Sequence, residues 1–302
     1  TDTYKVTAPA NMNNNIYSYT SNTFNKFDVP AVNQWILRAN TTQTFGELIP
    51  ISGTCAKTVT IKGETLGAQG TFSMASGTFN GDWLILQDVN ATGAGSFVAD
   101  NTVDLGNVTG WTVNTIAPRD FYWVGNNGNW NVASNWSDVS GGTPGNCGIP
   151  NRLDNAIFDA NSFSASGQYV NINVSADCED MIWTNVTSGA GINGNQNVNI
   201  YGSLQLDNNM VFNHTGTFYF QSTTTGNTIK TDGVQMRQTI FRGQNQSTGE
   251  WSLLDDFNAH NNYLYFERGT FHSNGHNIDV HSFYNWTGSP ANIHFTQSDT
   301  SF

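Results

Sequence analysis

Residues Lys57–Lys62 read KTVTIK, with apolar Val59 and Ile61 alternating with polar neighbours. That is the period of a half-buried strand, so Val59 and Ile61 are expected to point inward. Short runs of this kind recur along most of the chain. QWILRA at 34–39, Gln69–Ser73 and DWLILQDV at 82–89 come early, punctuated by glycines at 63, 67, 70, 77 and 81. The polar, Asn-rich stretch Thr1–Val29 reads as irregular strands and loops. After Pro150 come NAIFD at 155–159, YVNINV at 169–174 and DMIW at 180–183. A monotonous train follows: VNIYG at 198–202, SLQLD at 203–207, MVFNH at 210–214, TFYFQ at 217–221, NTIKT at 227–231, QTIFR at 238–242, WSLLDDF at 251–257, YLYFE at 263–267, NIDVHSF at 277–283 and NIHF at 292–295. Hardly any stretch carries a 3.6-residue period.

The pattern predicts an all-β chain. Spacing alone fits a sandwich, a barrel or a parallel β-helix. Three features favour the right-handed parallel β-helix, or β-solenoid. The strands are short and numerous. Their turns are rich in Asn and Gly, which tolerate the left-handed backbone of tight corners. Thr, Asn, Ile, Val and Phe recur in runs that could stack from coil to coil. Tandem β-sandwich domains are the alternative. One internal echo hints at repetition: GDWLILQDV at 81–89 against GEWSLLDDF at 249–257, with GTF recurring at Gly70, Gly77, Gly216 and Gly269.

Composition narrows the class. Charged residues make up 11% of the 302, and the net charge is −12. Eleven scattered basic residues argue against nucleic-acid partners and anionic membranes. A hydrophobic share of 37% suffices for a core, so the chain is not disordered. No apolar run is long enough to span a bilayer. Thr1 without Met, and Phe302 just after a strand-like run, read as cuts through a longer polypeptide.

The densest feature is FYWVGNNGNWNVASNW, Phe121–Trp136. Tyr122, Trp123, Trp130 and Trp136 alternate there with Gly and Asn. Exposed in a row, they could stack on sugar rings; buried, they would cap an open solenoid end. Their position after DLGNVTGW (104–111) favours a module boundary, with residues 1–117 ending one module and 118–302 beginning the next. Cys147 and Cys178 flank the following segment, and a disulfide between them is expected, with two buried free thiols as the alternative. Its loop of about 30 residues would stabilise by roughly 3–4 kcal/mol. Cys55 is left over, either buried or paired outside this segment.

No motif signals catalysis: there is no GxSxG, P-loop, dinucleotide fingerprint or HExxH. His272-x3-His276-x4-His281 does not put three rings on one strand face, so no metal site is expected from it. Adjacent Asp255 and Asp256 would point to opposite faces of a strand. Asp154, Asp159, Asp177, Glu179 and Asp180 are the natural candidates for calcium, but no EF-hand or nonapeptide repeat accompanies them. No cofactor is therefore expected, calcium being the only candidate.

The order FYWVGNNGNWNVASNWS, SGGTPGNCGIPNRLDNAIFDANSFS and VNINVSADCEDMIWTN resembles the repeat modules of giant Bacteroidetes cell-surface adhesins. These are the SprB-like gliding-motility adhesins exported by type IX secretion. DLGNVTGW resembles a module ending, and ISGTCAKTVTIKGETLGAQGTF an interior segment. The likeness covers most of residues 45–302. It implies a non-enzymatic, filamentous adhesin on the outer cell surface, and a recurring cysteine pair at Cys147 and Cys178. Its partners would be neighbouring modules of the same chain, an extracellular surface or polysaccharide, and the secretion and motility machinery of the outer membrane. The competing expectation is a polysaccharide-binding or polysaccharide-degrading β-helix, which would gather two carboxylates and a base in a groove.

Overall fold

The computed structural model describes residues 3–5, 15–29, 32–55, 57–116, 118–145, 147–243, 249–285 and 291–294. They form two compact units, Thr1–Ala117 and Pro118–Phe302. The architecture is a β-solenoid: parallel sheets stacked in about 12 turns, with helix limited to the single turn Ala133–Asn135 among the described residues. Among the described strands, every pairing is parallel except Arg119–Trp123 against Trp136–Ser137.

The first unit consists of a six-stranded and a seven-stranded parallel sheet. Period-2 alternation sets which residues meet. Ile16, Trp35, Ile61 and Leu86 occupy one register column. Trp35, Ile61 and Leu86 are fully buried, so one side chain per coil stacks on the next at the strand spacing of about 4.8 Å. The second sheet does the same: Phe24 pairs with Phe45, rings stacked 5.7 Å apart. KTVTIK lies as expected, with Val59 and Ile61 in the core. The described part of Thr1–Val29, residues 3–5 and 15–29, is more regular than its composition suggests. Asn22–Asp28 is a seven-residue strand in register with Thr42–Leu48; residues 6–14 lie outside the described set.

In the second unit, one column runs Cys178, Ile200, Phe220, Phe241, Phe266. All five are buried, and the Phe220 and Phe241 rings stack 4.8 Å apart. Each large apolar side chain removed from water contributes about 1.5–3 kcal/mol, so every coil extends the core that holds its neighbours. The sixteen-residue strand Phe257–His272 is longer than YLYFE suggested. It pairs with both Thr239–Arg242 and Glu250–Leu253, rounding a corner without a break. The last expected run, NIHF, is described only to His294 within the strand Ala291–His294.

The corners use the residues that tolerate them. Asn40, Asn101, Asn107, Asn126, Asn185 and Asn274 all adopt positive φ. Asn and Asp side chains, some of them at these corners, also bond from one coil to the next. Asn101 donates to Asp82 at 2.8 Å, Asn107 to Asp88 at 2.7 Å and Asn114 to Asp100 at 2.7 Å. In the second unit Gln221 donates to Asn199 and Asn199 to Asp177, each at 2.7 Å. The low-charge, Asn-rich composition is therefore spent on lateral polar ladders.

The internal echo is only half structural. All four GTF phenylalanines (Phe72, Phe79, Phe218, Phe271) are buried. Asp88 and Asp256 each accept a bond from an Asn of a later coil, Asn107 and Asn277. The tryptophans differ, however. Trp251 is buried on the strand Glu250–Leu253, whereas Trp83 is half-buried at φ 54°. The aliphatic residues are out of phase, Leu86 being buried and Leu254 exposed.

The cysteine pairing needs correction. Cys178 is a free, buried thiol, and Cys55 and Cys147 are the disulfide-bonded residues. Alternation explains the error. On the strand Ala176–Cys178, Cys178 faces inward and heads the Ile200–Phe220 column. Its sulfur is enclosed by core side chains, and burial pushes the thiol pKa well up.

Candidate functional site

The strand Arg119–Trp123 opens the second unit and places Phe121 and Trp123 inward, Tyr122 outward. The chain then turns at Asn126, pairs Gly128–Asn129 with the strand Tyr169–Ile172, and returns as Trp136–Ser137 against Trp123. Trp123, Trp130 and Trp136 thereby converge inside the unit's own core, all fully buried. Trp136 meets Trp123 edge-on at 5.2 Å and Trp130 at 4.8 Å, and its indole N–H donates to the Trp130 carbonyl at 2.9 Å. Phe158 lies beneath, stacked at 3.9 Å on Trp183. These indoles close the first coil and present no face to a ligand. Only Tyr122 of the four is half-exposed.

The acidic residues separate by role. Asp154 is buried and holds Arg119 in a two-bond fork, Nε at 2.7 Å and Nη2 at 2.9 Å. Burial raises its pKa, and Arg119 opposes the rise. Asp159 caps its own loop, accepting from the Asn161 backbone and from the Ser140 and Ser162 hydroxyls. Asp177 and Asp180 also rise through burial, although Asn199 and the Ser203 N–H bond to them. Among the described residues no group of His, Cys, Asp and Glu is arranged to hold a metal ion. Asp177, Glu179 and Asp180 lie close together on one coil, beside Asp154 of the coil before, whereas Asp159 serves its own loop.

Glu179 is a strongly perturbed carboxyl. Burial first, and Asp180 second, push its pKa to about 7, while Arg152 works against the shift. Arg152 itself lies over the Tyr201 ring at 4.0 Å. A carboxyl whose folded pKa exceeds its unfolded value stabilises the fold below the unfolded pKa and loses that contribution as pH rises through the folded one. The stability of the second unit should therefore fall between about pH 4.5 and 7. Glu179→Gln should flatten that slope and gain on the order of 2 kcal/mol at pH 8 relative to the parent chain. Urea titrations at pH 5 and pH 8 check this, and an unchanged pH slope in the variant would refute it.

Among the described side chains, His272, His276 and His281 do not assemble into one site. His272 contacts Glu250 at 2.8 Å, His276 Asp256 at 3.6 Å and His260 Asp279 at 3.0 Å. His281 packs edge-on against Tyr263. Each pairing joins neighbouring coils. Asp255 and Asp256 also serve opposite neighbours: Asp255 accepts from the Thr231 and Asp232 backbone, Asp256 from the Asn277 backbone and side chain. Sequence reading missed the tyrosine column of the outer face, where Tyr219, Ile240, Tyr265 and Tyr284 share one register. Tyr265 and Tyr284 stack at 5.0 Å, and Arg242 lies over Tyr219 at 5.0 Å. The alternation of FYF and YLYF carried this signal, since the core phenylalanines fix the tyrosines outside.

Fold and faces together define a disulfide-containing parallel β-solenoid. A disulfide indicates a non-cytoplasmic, oxidising compartment. No described helix is long and apolar enough to cross a membrane. Comparison with protein-family models, curated proteins and solved structures gives no match.

Proposed function

We propose that the chain is a structural and adhesive segment of a large filamentous cell-surface protein, serving reach and attachment rather than catalysis. The observation that carries this reading is how the polar side chains are used. Asp82, Asp88, Asp100, Asp177 and Asp256 each accept from an Asn of a neighbouring coil. A reaction centre would instead aim carboxylates and a base at one point in a cleft. Stacked side-chain columns inside and polar ladders outside give a solenoid whose coils brace one another. The disulfide suits an extracellular setting. The resemblance of the Trp- and Cys-containing stretch to SprB-like modules adds gliding motility and type IX export to the proposal.

The reading is tested on intact cells of the source organism. Fab fragments raised against this chain should label unpermeabilised cells and block their attachment to a surface. Labelling that requires permeabilisation would overturn it.

A further inference from the structure

The four-stranded sheet of the second unit ends at the strand Val211–Phe212. In the next coil the chain does not add a fifth strand on that face. It passes as an irregular segment through Asp232–Arg237, with Asp232 and Gly233 both at positive φ. An edge strand facing non-strand backbone leaves space, and here that space is a groove of about 290 Å³. Its apolar lining is Met210, Phe212 and Val234, and its polar lining is Asn208, Asp232, Gln235 and Arg237.

The polar groups are not equally committed. Asp232 accepts from the Asn208 backbone at 3.0 Å and lies 3.5 Å from the Lys230 ammonium, so its charge is met within the protein. Arg237 uses only Nε, donating to the His214 carbonyl at 3.1 Å. That bond fixes the guanidinium plane and leaves the two terminal nitrogens for the groove. The amides of Asn208 and Gln235 are exposed and make no hydrogen bond among the described residues. Behind them the Phe212 ring is held against Phe218 at 5.6 Å and against the buried His214. A fixed planar cation, two free amides and an apolar wall thus converge on one cavity.

We propose that this groove binds a carboxylated sugar unit of an acidic polysaccharide. The guanidinium edge matches a carboxylate through two parallel bonds. The amides donate to and accept from ring hydroxyls. Half-buried Phe212 and Val234 offer apolar surface to the C–H face of the pyranose. The volume is at the small end of ligand clefts, about 300–1,000 Å³, which suits one or two sugar rings. Phosphate esters would satisfy the arginine but waste the apolar wall, and a neutral glycan would leave the guanidinium unpaired. The site deepens the adhesive reading by naming the class of ligand a stalk would grip, and it rests on that reading only for its biological use.

Calorimetry on the full chain tests it, with tetragalacturonate, tetraguluronate and a hyaluronan tetrasaccharide as probes and methyl-esterified tetragalacturonate as the uncharged control. At least one acid should bind, about tenfold or more tighter than methyl-esterified tetragalacturonate. Arg237→Ala should weaken binding of that acid by about tenfold or more, and Gln235→Ala, which breaks no internal bond, by a few-fold. Circular dichroism shows whether each variant is folded; if Arg237→Ala is not, Arg237→Lys takes its place, because it retains the charge and loses the fork. Equal binding of acid and ester, unaltered binding in the folded arginine variant, or no binding of any acid would each overturn the site. Loss of the site would leave surface labelling by Fab fragments unaffected, so the two proposals fail separately.

Discussion

Trp136→Ala is expected to destabilise the second unit by about 3–5 kcal/mol, the usual cost of truncating a fully buried Trp. The site has little freedom to collapse. Trp136 is wedged edge-on between Trp123 and Trp130 with Phe158 below, and its indole N–H satisfies the Trp130 carbonyl. The alanine variant leaves a cavity and an orphaned buried carbonyl. It also loosens the antiparallel return of Trp136–Ser137 onto Tyr122 and Trp123, which closes the first coil. Because a solenoid transmits stability between neighbouring coils, a frayed first coil should expose the next. Hydrogen exchange should therefore rise first around Asp154–Phe158 and Met181–Trp183, the strands that follow in the sheet. Urea denaturation gives the magnitude. A loss under 1 kcal/mol would mean that the three indoles are not the cap their packing implies.

Arg119→Ala is expected to cost a comparable 3–5 kcal/mol above neutral pH, for an electrostatic reason. Asp154 has no solvent exposure, and its two oxygens are met by the Arg119 fork and the Asn151 N–H. Burial already holds its pKa above the usual value despite the arginine. Without Arg119 that pKa rises further. The penalty of a buried, unpaired carboxylate is then largest at high pH and fades as the pH falls through the new folded pKa, because the neutral acid needs no counterion. The double variant Arg119→Ala/Asp154→Asn should recover much of the loss at pH 8. Denaturation of the three proteins at pH 5 and pH 8 checks the sign. A loss independent of pH would show that Arg119 acts through packing on Phe121, over whose ring its guanidinium lies at 5.2 Å.

Much of the fold was legible because period-2 alternation leaves a direct trace. Val59 and Ile61 alternate in the sequence and alternate in the sheet. Asn and Gly at turns forecast left-handed corners, and Asn107 and Asn126 are among them. What alternation cannot supply is which residue of a distant coil shares a column. Cys178 looked available for Cys147 because both flank one segment. Only the register with Ile200 reveals that it belongs inside. The paired tryptophans of the echo failed for the same reason, since a shift of one residue turns a strand over, and Leu254 faces out where Leu86 faces in.

The candidate sites were less legible. The Trp-rich stretch stood out by composition, yet burial or exposure of its indoles depends on the return of Trp136–Ser137, an antiparallel pairing that no local pattern signals. The groove beside Arg237 has no motif at all. It arises where a sheet stops, at Val211–Phe212, so it is defined by a strand that is not continued. Asp255 and Asp256 illustrate the reverse: a conspicuous acidic pair in the sequence turns out to be two separate fasteners reaching opposite coils.

The central claim is that the outer polar groups bind coils and ligand but perform no reaction, and it is tested most directly by product analysis. The purified chain is incubated with acidic and neutral polysaccharides. Their size distribution, reducing ends and unsaturated ends are then followed by chromatography. The expected result is retention of acidic polysaccharide on the chain with its length unchanged. Shortened chains or new unsaturated ends, abolished by heat-inactivating the protein, would contradict it and make the solenoid an enzyme.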